Sequence, residues 1–235
     1  MSGSAIKMGE WLLRKVFVGP PLRAYLRLTV EGVENVPSTG PVIIASNHLS
    51  FVDSMVIPLA AGRKVGFLGK AEYVQGHGIT GWVKRLWFGE FGGMIPVDRS
   101  DARAAARSLE LAEEHLAKGG AFGIYPEGTR SRDGWLHKGR TGVGRLAATT
   151  GATVIPCALT GTDKVQPVGA KGFRPHRVTV RFGPPVDVDS LREHYVKSKL
   201  FRAITDDVMN AIAERCDQPR SADYADRPGP GAPLG

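Results

Sequence analysis

Cysteine is scarce in this chain: Cys157 and Cys216 are the only two and stand far apart. That excludes a disulfide framework and leads us to expect a reducing compartment. Long apolar runs are also missing. No stretch reaches the roughly 18 uninterrupted apolar residues a spanning helix requires, and the chain does not open with the charged, apolar and small-residue succession of a secretory leader. Neither secretion nor membrane spanning is expected. Zinc-finger spacing, a basic zipper and an aromatic RNA-binding signature are absent, which argues against nucleic acid. Acidic residues are in deficit, 23 against 31 Lys and Arg, for a net charge of +8. The excess predicts an anionic partner, such as a phosphorylated metabolite or an anionic membrane surface.

What is present alternates strand and helix. With 235 residues the chain has the length of one domain, able to bury about 70% of its unfolded surface. Short apolar runs at 28–31, 42–46, 65–68, 94–97, 121–125 and 153–159 read as strands, and 177–182 alternates with period two as a last strand at or near a sheet edge. Helical patterns lie between them at 51–61, 100–119 and 141–149, with another at 198–215. This order predicts an α/β fold, a single domain with a mostly parallel or mixed central sheet flanked by helices. Residues 1–28 carry Trp11, Leu12, Val16, Leu22, Tyr25 and Leu26 among five basic residues and are split by Pro20-Pro21. They are expected to form two short amphipathic helices that associate with a membrane surface, with packing on the core as the alternative. The domain proper is then 29–216. Residues 217–235, rich in Pro, Gly and Ala, are expected to be disordered.

The most informative stretch is Ser46-Asn47-His48-Leu49-Ser50-Phe51-Val52-Asp53. It follows the apolar run Val42 to Ala45, so His48 stands just beyond a strand end, where open α/β sheets carry their ligands. Ser50 and Asp53 form a capping-box pattern that starts a helix at about Ser50. On an unbroken helix His48 and Asp53 would point about 140° apart; a turn before the helix lets them meet. Two readings are open. Either Asp53 holds one imidazole nitrogen and leaves the other free to take a proton, or it only caps the helix while His48 is a hydrogen-bonded turn residue. No second His or Cys stands at ligand spacing nearby, so no metal is expected.

Other strand ends also carry polar residues. Asp98-Arg99 follows Met94 to Val97, and Pro126-Glu127-Gly128-Thr129-Arg130-Ser131 follows Ala121 to Tyr125. In the latter, Gly128 permits close backbone approach, Thr129 and Ser131 offer hydroxyls, and Arg130 offers a planar fork, a set that suits an anion or makes an exposed polar turn. Lys138 and Arg140 add cations. Gly76-His77-Gly78-Ile79-Thr80-Gly81, with Asp98 beyond it, matches a dinucleotide-binding spacing. However, the preceding Lys70 to Gln75 makes a poor buried strand, so an oxidoreductase is only a remote alternative. Trp82, Trp87, Phe88 and Phe91, mixed with Lys84 and Arg85, form an interfacial, substrate-facing or core segment.

Together these blocks resemble the glycerolipid acyltransferase family, the 1-acylglycerol-3-phosphate acyltransferases and their relatives. His48 to Asp53 is similar to its H-x4-D block, Gly93 to Arg99 to its second, Tyr125 to Ser131 to its third and Val154 to Leu159 to its fourth. Tyr125 departs from the common Phe, and Pro96-Val97 from Phe-Ile. The resemblance covers about residues 30–185. It implies transfer of a fatty acyl group from a thioester on coenzyme A or acyl carrier protein to the hydroxyl of lysophosphatidate, giving phosphatidic acid without another cofactor. Glycerol 3-phosphate, a lysophospholipid or a lipid-linked sugar are the alternative acceptors. It implies His48 and Asp53 as the catalytic pair and Arg99, Glu127, Gly128, Thr129, Arg130 and Lys138 as acceptor-binding residues. The expected location is peripheral, on the cytoplasmic side of the cell membrane.

Overall fold

The computed structural model describes residues 19–70, 93–97, 104–167, 170 and 172–226. Seven strands form one sheet: β1 (Thr29–Glu31), β2 (Val42–Ser46), β3 (Val65–Lys70), β4 (Met94–Val97), β5 (Ala121–Ile124), β6 (Thr153–Thr160) and β7 (Thr179–Phe182), in the spatial order β1-β7-β6-β2-β5-β3-β4. Every pairing is parallel except β6 with β7. The expected α/β domain with a mixed central sheet is therefore what forms, and the alternating strand 177–182 lies one position in from the edge.

β2 is the centre because nothing in it needs water. All five of its residues are buried, and successive side chains point to opposite faces. Val42 and Ile44 join the core on one face, with Val56, Ile57, Ile155 and Leu159; Ile43 and Ala45 join the core on the other, with Phe122, Leu146, Ile204 and Val208. The helices that cover the sheet supply these partners. They are α1 (Gly19–Tyr25), α2 (Asp53–Ala61), α3 (Ala104–Ala117), α4 (Gly142–Thr150), α5 (Thr162–Val165), α6 (Val188–His194) and α7 (Lys197–Ala213). In α7, Leu200, Ile204, Val208 and Ile212 recur at every fourth position and are all buried, which makes one apolar stripe against the sheet.

Three expectations change. The helix placed from Ser50 begins instead at Asp53, because the Asp53 carboxylate takes the Leu49 and Ser50 N–H groups and folds 48–52 into a tight turn. The second N-terminal piece packs on the core: Pro20-Pro21 lie in the first turn of α1, and Leu22 and Leu26 join the α2 side, since proline suits a position whose N–H needs no helical partner. The tail expected from 217 is ordered as far as Asp226. There Leu136 N–H donates to Pro219 O and Lys138 N–H to Asp223 O, both at 2.9 Å. Composition hid these pairings because they are made by backbone. Residues 1–18, the Gly76 to Gly81 spacing, the Trp82 to Phe91 segment and 227–235 lie outside the described residues. Among the described residues, no helix is long and apolar enough to cross a membrane.

α4 and α7 meet at a glycine. A Cβ on Gly144 would lie 2.0 Å from Phe201 O and 2.8 Å from Thr205 Oγ1, so the two helices must separate to admit it. Gly144→Ala is expected to destabilise the domain by about 1–3 kcal/mol. This is checked by thermal unfolding, where each kcal/mol moves Tm by roughly 2–4 °C for a domain of this size; an unchanged Tm contradicts this packing.

Candidate active site

β2 and β5 are parallel neighbours in register, with Ala45 opposite Ile124. Three residues further along each strand direction come His48 and Glu127, so the register itself brings the first and third sequence blocks level. Their backbones then lock. His48 N–H donates to Glu127 Oε1 at 3.2 Å, and Ser131 N–H donates to His48 O at 2.7 Å. Gly128, at φ +80°, closes the turn by donating to Tyr125 O at 3.0 Å, a conformation that favours glycine.

Within this frame His48 and Asp53 meet. The separation between Nδ1 and Asp53 Oδ2 is 2.8 Å, and the same Oδ2 accepts Leu49 N–H at 2.7 Å and Ser50 N–H at 2.8 Å. Two backbone donors cannot reverse roles, so Oδ2 is an acceptor and Nδ1 carries the proton. Nε2 has no hydrogen bond among the described residues. Asp53 has no exposed side-chain surface, while 17% of the His48 side chain is exposed. The imidazole thus leaves Nε2 without a protein partner among the described residues, on a partly exposed ring backed by a buried carboxylate. Asp53 thus both caps the turn and holds the histidine ring.

Tyr125 completes the mount. Its ring stacks on the imidazole at 3.8 Å between centroids and 7° between planes, Phe67 stacks behind it at 5.5 Å, and its hydroxyl pairs with Ser54 Oγ at 2.8 Å. Burial, with the nearby Asp53 charge adding to it, pushes the phenol well above its ordinary range. It is a neutral platform. Asn47 fixes the other side, accepting Leu159 N–H at 2.8 Å and donating to Leu159 O at 2.9 Å and to Gln218 Oε1 at 2.7 Å. The sequence singled out neither as functional. Tyr125 stood out only as a departure from Phe, and Asn47 only as a polar residue at the end of an apolar strand.

The residues expected to bind the acceptor separate into accessible and buried. Gly128 is exposed, and Thr129, Arg130 and Lys138 are half-buried. Glu127 has no exposed surface; its Oε2 accepts His137 N–H at 3.0 Å while Oε1 holds His48, so it ties two loops together. Arg99 lies outside the described residues. No group of three His, Cys, Asp or Glu side chains among the described residues could hold a metal ion.

An acyltransferase family model matches residues 27–160, more than half of the chain and inclusive of every block above. The chain belongs to the acyltransferase family. It is 33% identical over 70% of its length to a chloroplastic 1-acyl-sn-glycerol-3-phosphate acyltransferase of Arabidopsis thaliana, covering 44% of that protein. It is 26% identical over 90% of its length to a 1-acyl-sn-glycerol-3-phosphate acyltransferase of Borreliella burgdorferi, covering 78% of it. The chain spans less than half the length of the chloroplastic relatives from Arabidopsis thaliana and Brassica napus. The crystal structure of the 1-acyl-sn-glycerophosphate acyltransferase PlsC from Thermotoga maritima superposes with a TM-score of 0.67 at 27% identity, over 90% of this chain and 81% of that one. The acyltransferase domain is thus shared in fold and in its sequence blocks.

Glu127 gives the domain a pH signature. Burial raises its carboxyl from 4.5 to about 7, with the hydrogen bonds from the His137 and His48 N–H groups acting in the opposite direction. Between those values the unfolded chain releases a proton that the fold retains. The associated stability is therefore complete below about pH 4.5 and is lost as pH rises through about 7. The stability difference between wild type and Glu127→Gln is expected to shrink by on the order of 3 kcal/mol from pH 4.5 to pH 8. Denaturant unfolding at both pH values checks this, and a pH-independent difference contradicts it.

Proposed function

We propose that this chain transfers a fatty acyl group from a thioester of coenzyme A or acyl carrier protein to the free hydroxyl of 1-acylglycerol 3-phosphate, forming phosphatidic acid. The observation that carries this reading is the His48–Asp53 pair, 2.8 Å apart on a partly exposed imidazole whose carboxylate partner is buried, in a chain whose relatives are named for that reaction. His48 Nε2 takes the proton of the acceptor hydroxyl as its oxygen attacks the thioester carbonyl. Asp53 stabilises the imidazolium that forms. Collapse of the tetrahedral intermediate breaks the C–S bond, and Nε2 returns the proton to the departing sulfur. The thioester already carries the activated acyl group, so the chemistry needs no other cofactor and no covalent acyl-enzyme.

Thr129 and Arg130, with the backbone of Gly128, face the acceptor's glycerol phosphate. Arg99, two residues beyond β4 in the chain, is kept in this assignment from the sequence alone. Glu127 serves the same site by holding the His48 turn. The net charge of +8 supports a peripheral position on the cytoplasmic face of an anionic membrane. So do Tyr25 and Phe173, exposed side chains linked by a hydrogen bond from the Tyr25 hydroxyl to Phe173 O at 3.1 Å.

The test is turnover on sedimentable anionic vesicles. Each preparation carries lysophosphatidate, glycerol 3-phosphate, a zwitterionic lysophospholipid or a lipid-linked sugar with a long-chain acyl thioester. Lysophosphatidate is expected to lead, the protein to pellet with the vesicles at low salt, and folded His48→Ala to lose ~10²–10⁴-fold in rate. Near wild-type turnover by His48→Ala overturns the mechanism, and faster acylation of a phosphate-free acceptor overturns the acceptor.

A further inference from the structure

Beyond the family's sequence blocks, the chain returns to the site through its C-terminal segment. Ser221 N–H donates to Leu136 O at 2.9 Å, which joins the bonds from Leu136 to Pro219 and from Lys138 to Asp223 in a short ladder along the 136–138 loop. Beyond it lies Tyr224. Its ring centroid is 5.3 Å from Lys138 Nζ and 5.1 Å from Arg140 Cζ, within the range of cation–π attraction.

These two cations differ from other arginines among the described residues. Half-buried Arg63, Arg181, Arg202 and Arg215, and exposed Arg192, each donate to a backbone carbonyl or a carboxylate. Among the described residues, the Lys138 ammonium and Arg140 guanidinium have neither, and Arg140 Nε is buried with no acceptor. A buried donor without a partner is costly, and two like charges on one ring repel each other. A dianion between them removes both penalties. The cluster is tied to the His48 turn as well. Arg140 N–H donates to Pro126 O at 2.8 Å, and the Glu127 carboxylate that holds His48 on one oxygen holds His137, the residue before Lys138, on the other. Tyr224 is 45% exposed and Lys138 and Arg140 are half-buried, so the cluster lies at the surface.

We propose that Lys138 and Arg140, positioned by Tyr224, bind a phosphate monoester carried by one of the two substrates. A guanidinium fork beside an ammonium is the chemistry that recognises such a dianion. It is either the glycerol phosphate of the acceptor or the ribose 3′-phosphate of a coenzyme A donor. This rests on the acyltransfer reading above for the identity of the substrates, while the site itself rests on the two unpaired cations. Arg140 and Lys138 touch the ligand; Tyr224 is a positioning residue.

The experiment is calorimetric binding of glycerol 3-phosphate and, separately, of adenosine 3′,5′-bisphosphate to the full chain and to Arg140→Gln, Tyr224→Leu and Tyr224→Phe. Arg140→Gln is expected to weaken one of the two probes by about tenfold or more. Tyr224→Leu is expected to weaken the same probe by roughly two- to fivefold, and Tyr224→Phe to restore it because the ring face is retained. The probe that responds identifies the substrate. Arg140→Gln leaves the ladder's backbone bonds in place, so it decides the site even where Tyr224→Leu loosens the segment. Wild type that binds neither probe, or Arg140→Gln that binds both as wild type does, overturns the proposal. Phenylalanine as damaging as leucine overturns the role of Tyr224. A protein that binds as expected yet acylates no lysophosphatidate contradicts the acceptor assignment and leaves the anion site standing.

Discussion

One buried oxygen, Asp53 Oδ2, shapes the catalytic turn. It accepts from the His48 ring and from the Leu49 and Ser50 backbone, and these three bonds together hold residues 48–53 in one turn. The helix α2 therefore starts late, the imidazole is held by Nδ1, and Nε2 is the nitrogen left to chemistry. An isolated buried carboxylate is expensive; three donors offset that cost, and the geometry they demand is the geometry a general base requires. Asparagine at the same position could not receive the Nδ1 proton and both backbone groups on one charged oxygen.

The second constraint is parallel pairing at the sheet centre. Because Ala45 stands opposite Ile124, His48, Tyr125 and Glu127 arrive at one edge of the sheet with no long-range search. Each then contributes differently: Glu127 through backbone N–H groups, Tyr125 through its ring face. The same carboxylate reaches the 136–140 loop, and that loop is in turn laced to 217–226 by backbone hydrogen bonds. The His48 turn, the 136–140 loop and the C-terminal segment are thus mechanically continuous through a few polar contacts. A substitution well past the sequence blocks can reach the rim of the site by this route.

What the sequence discloses follows from how local the cause is. The strands at 42–46 and 121–124 and the helix α3 are legible because apolar spacing and end signals lie within a few residues. His48 and Asp53 are legible because five residues and one turn contain the whole interaction. The stack of Tyr125 on His48, and the conversion of Glu127 from a supposed ligand-binding residue into a buried tie, depend on strand register and have no local signal. α6 was missed for a related reason: it buries none of its residues, so it shows no apolar period, and only its Asp187 cap, accepting Ser190 N–H at 3.0 Å, marks it. The 217–226 segment looked disordered because composition records side chains, whereas its order comes from backbone pairing with Leu136 and Lys138.

The central claim is that Asp53 fixes His48 with its proton on Nδ1 and Nε2 unprotonated. Long-range ¹H–¹⁵N spectra of histidine-labelled protein at about pH 8.5, where an ordinary imidazole is neutral, read this state directly. The account predicts an Nδ1–H tautomer for His48 that loses its preference in Asp53→Asn. A His48 resonance with the proton on Nε2 and Nδ1 bare contradicts it.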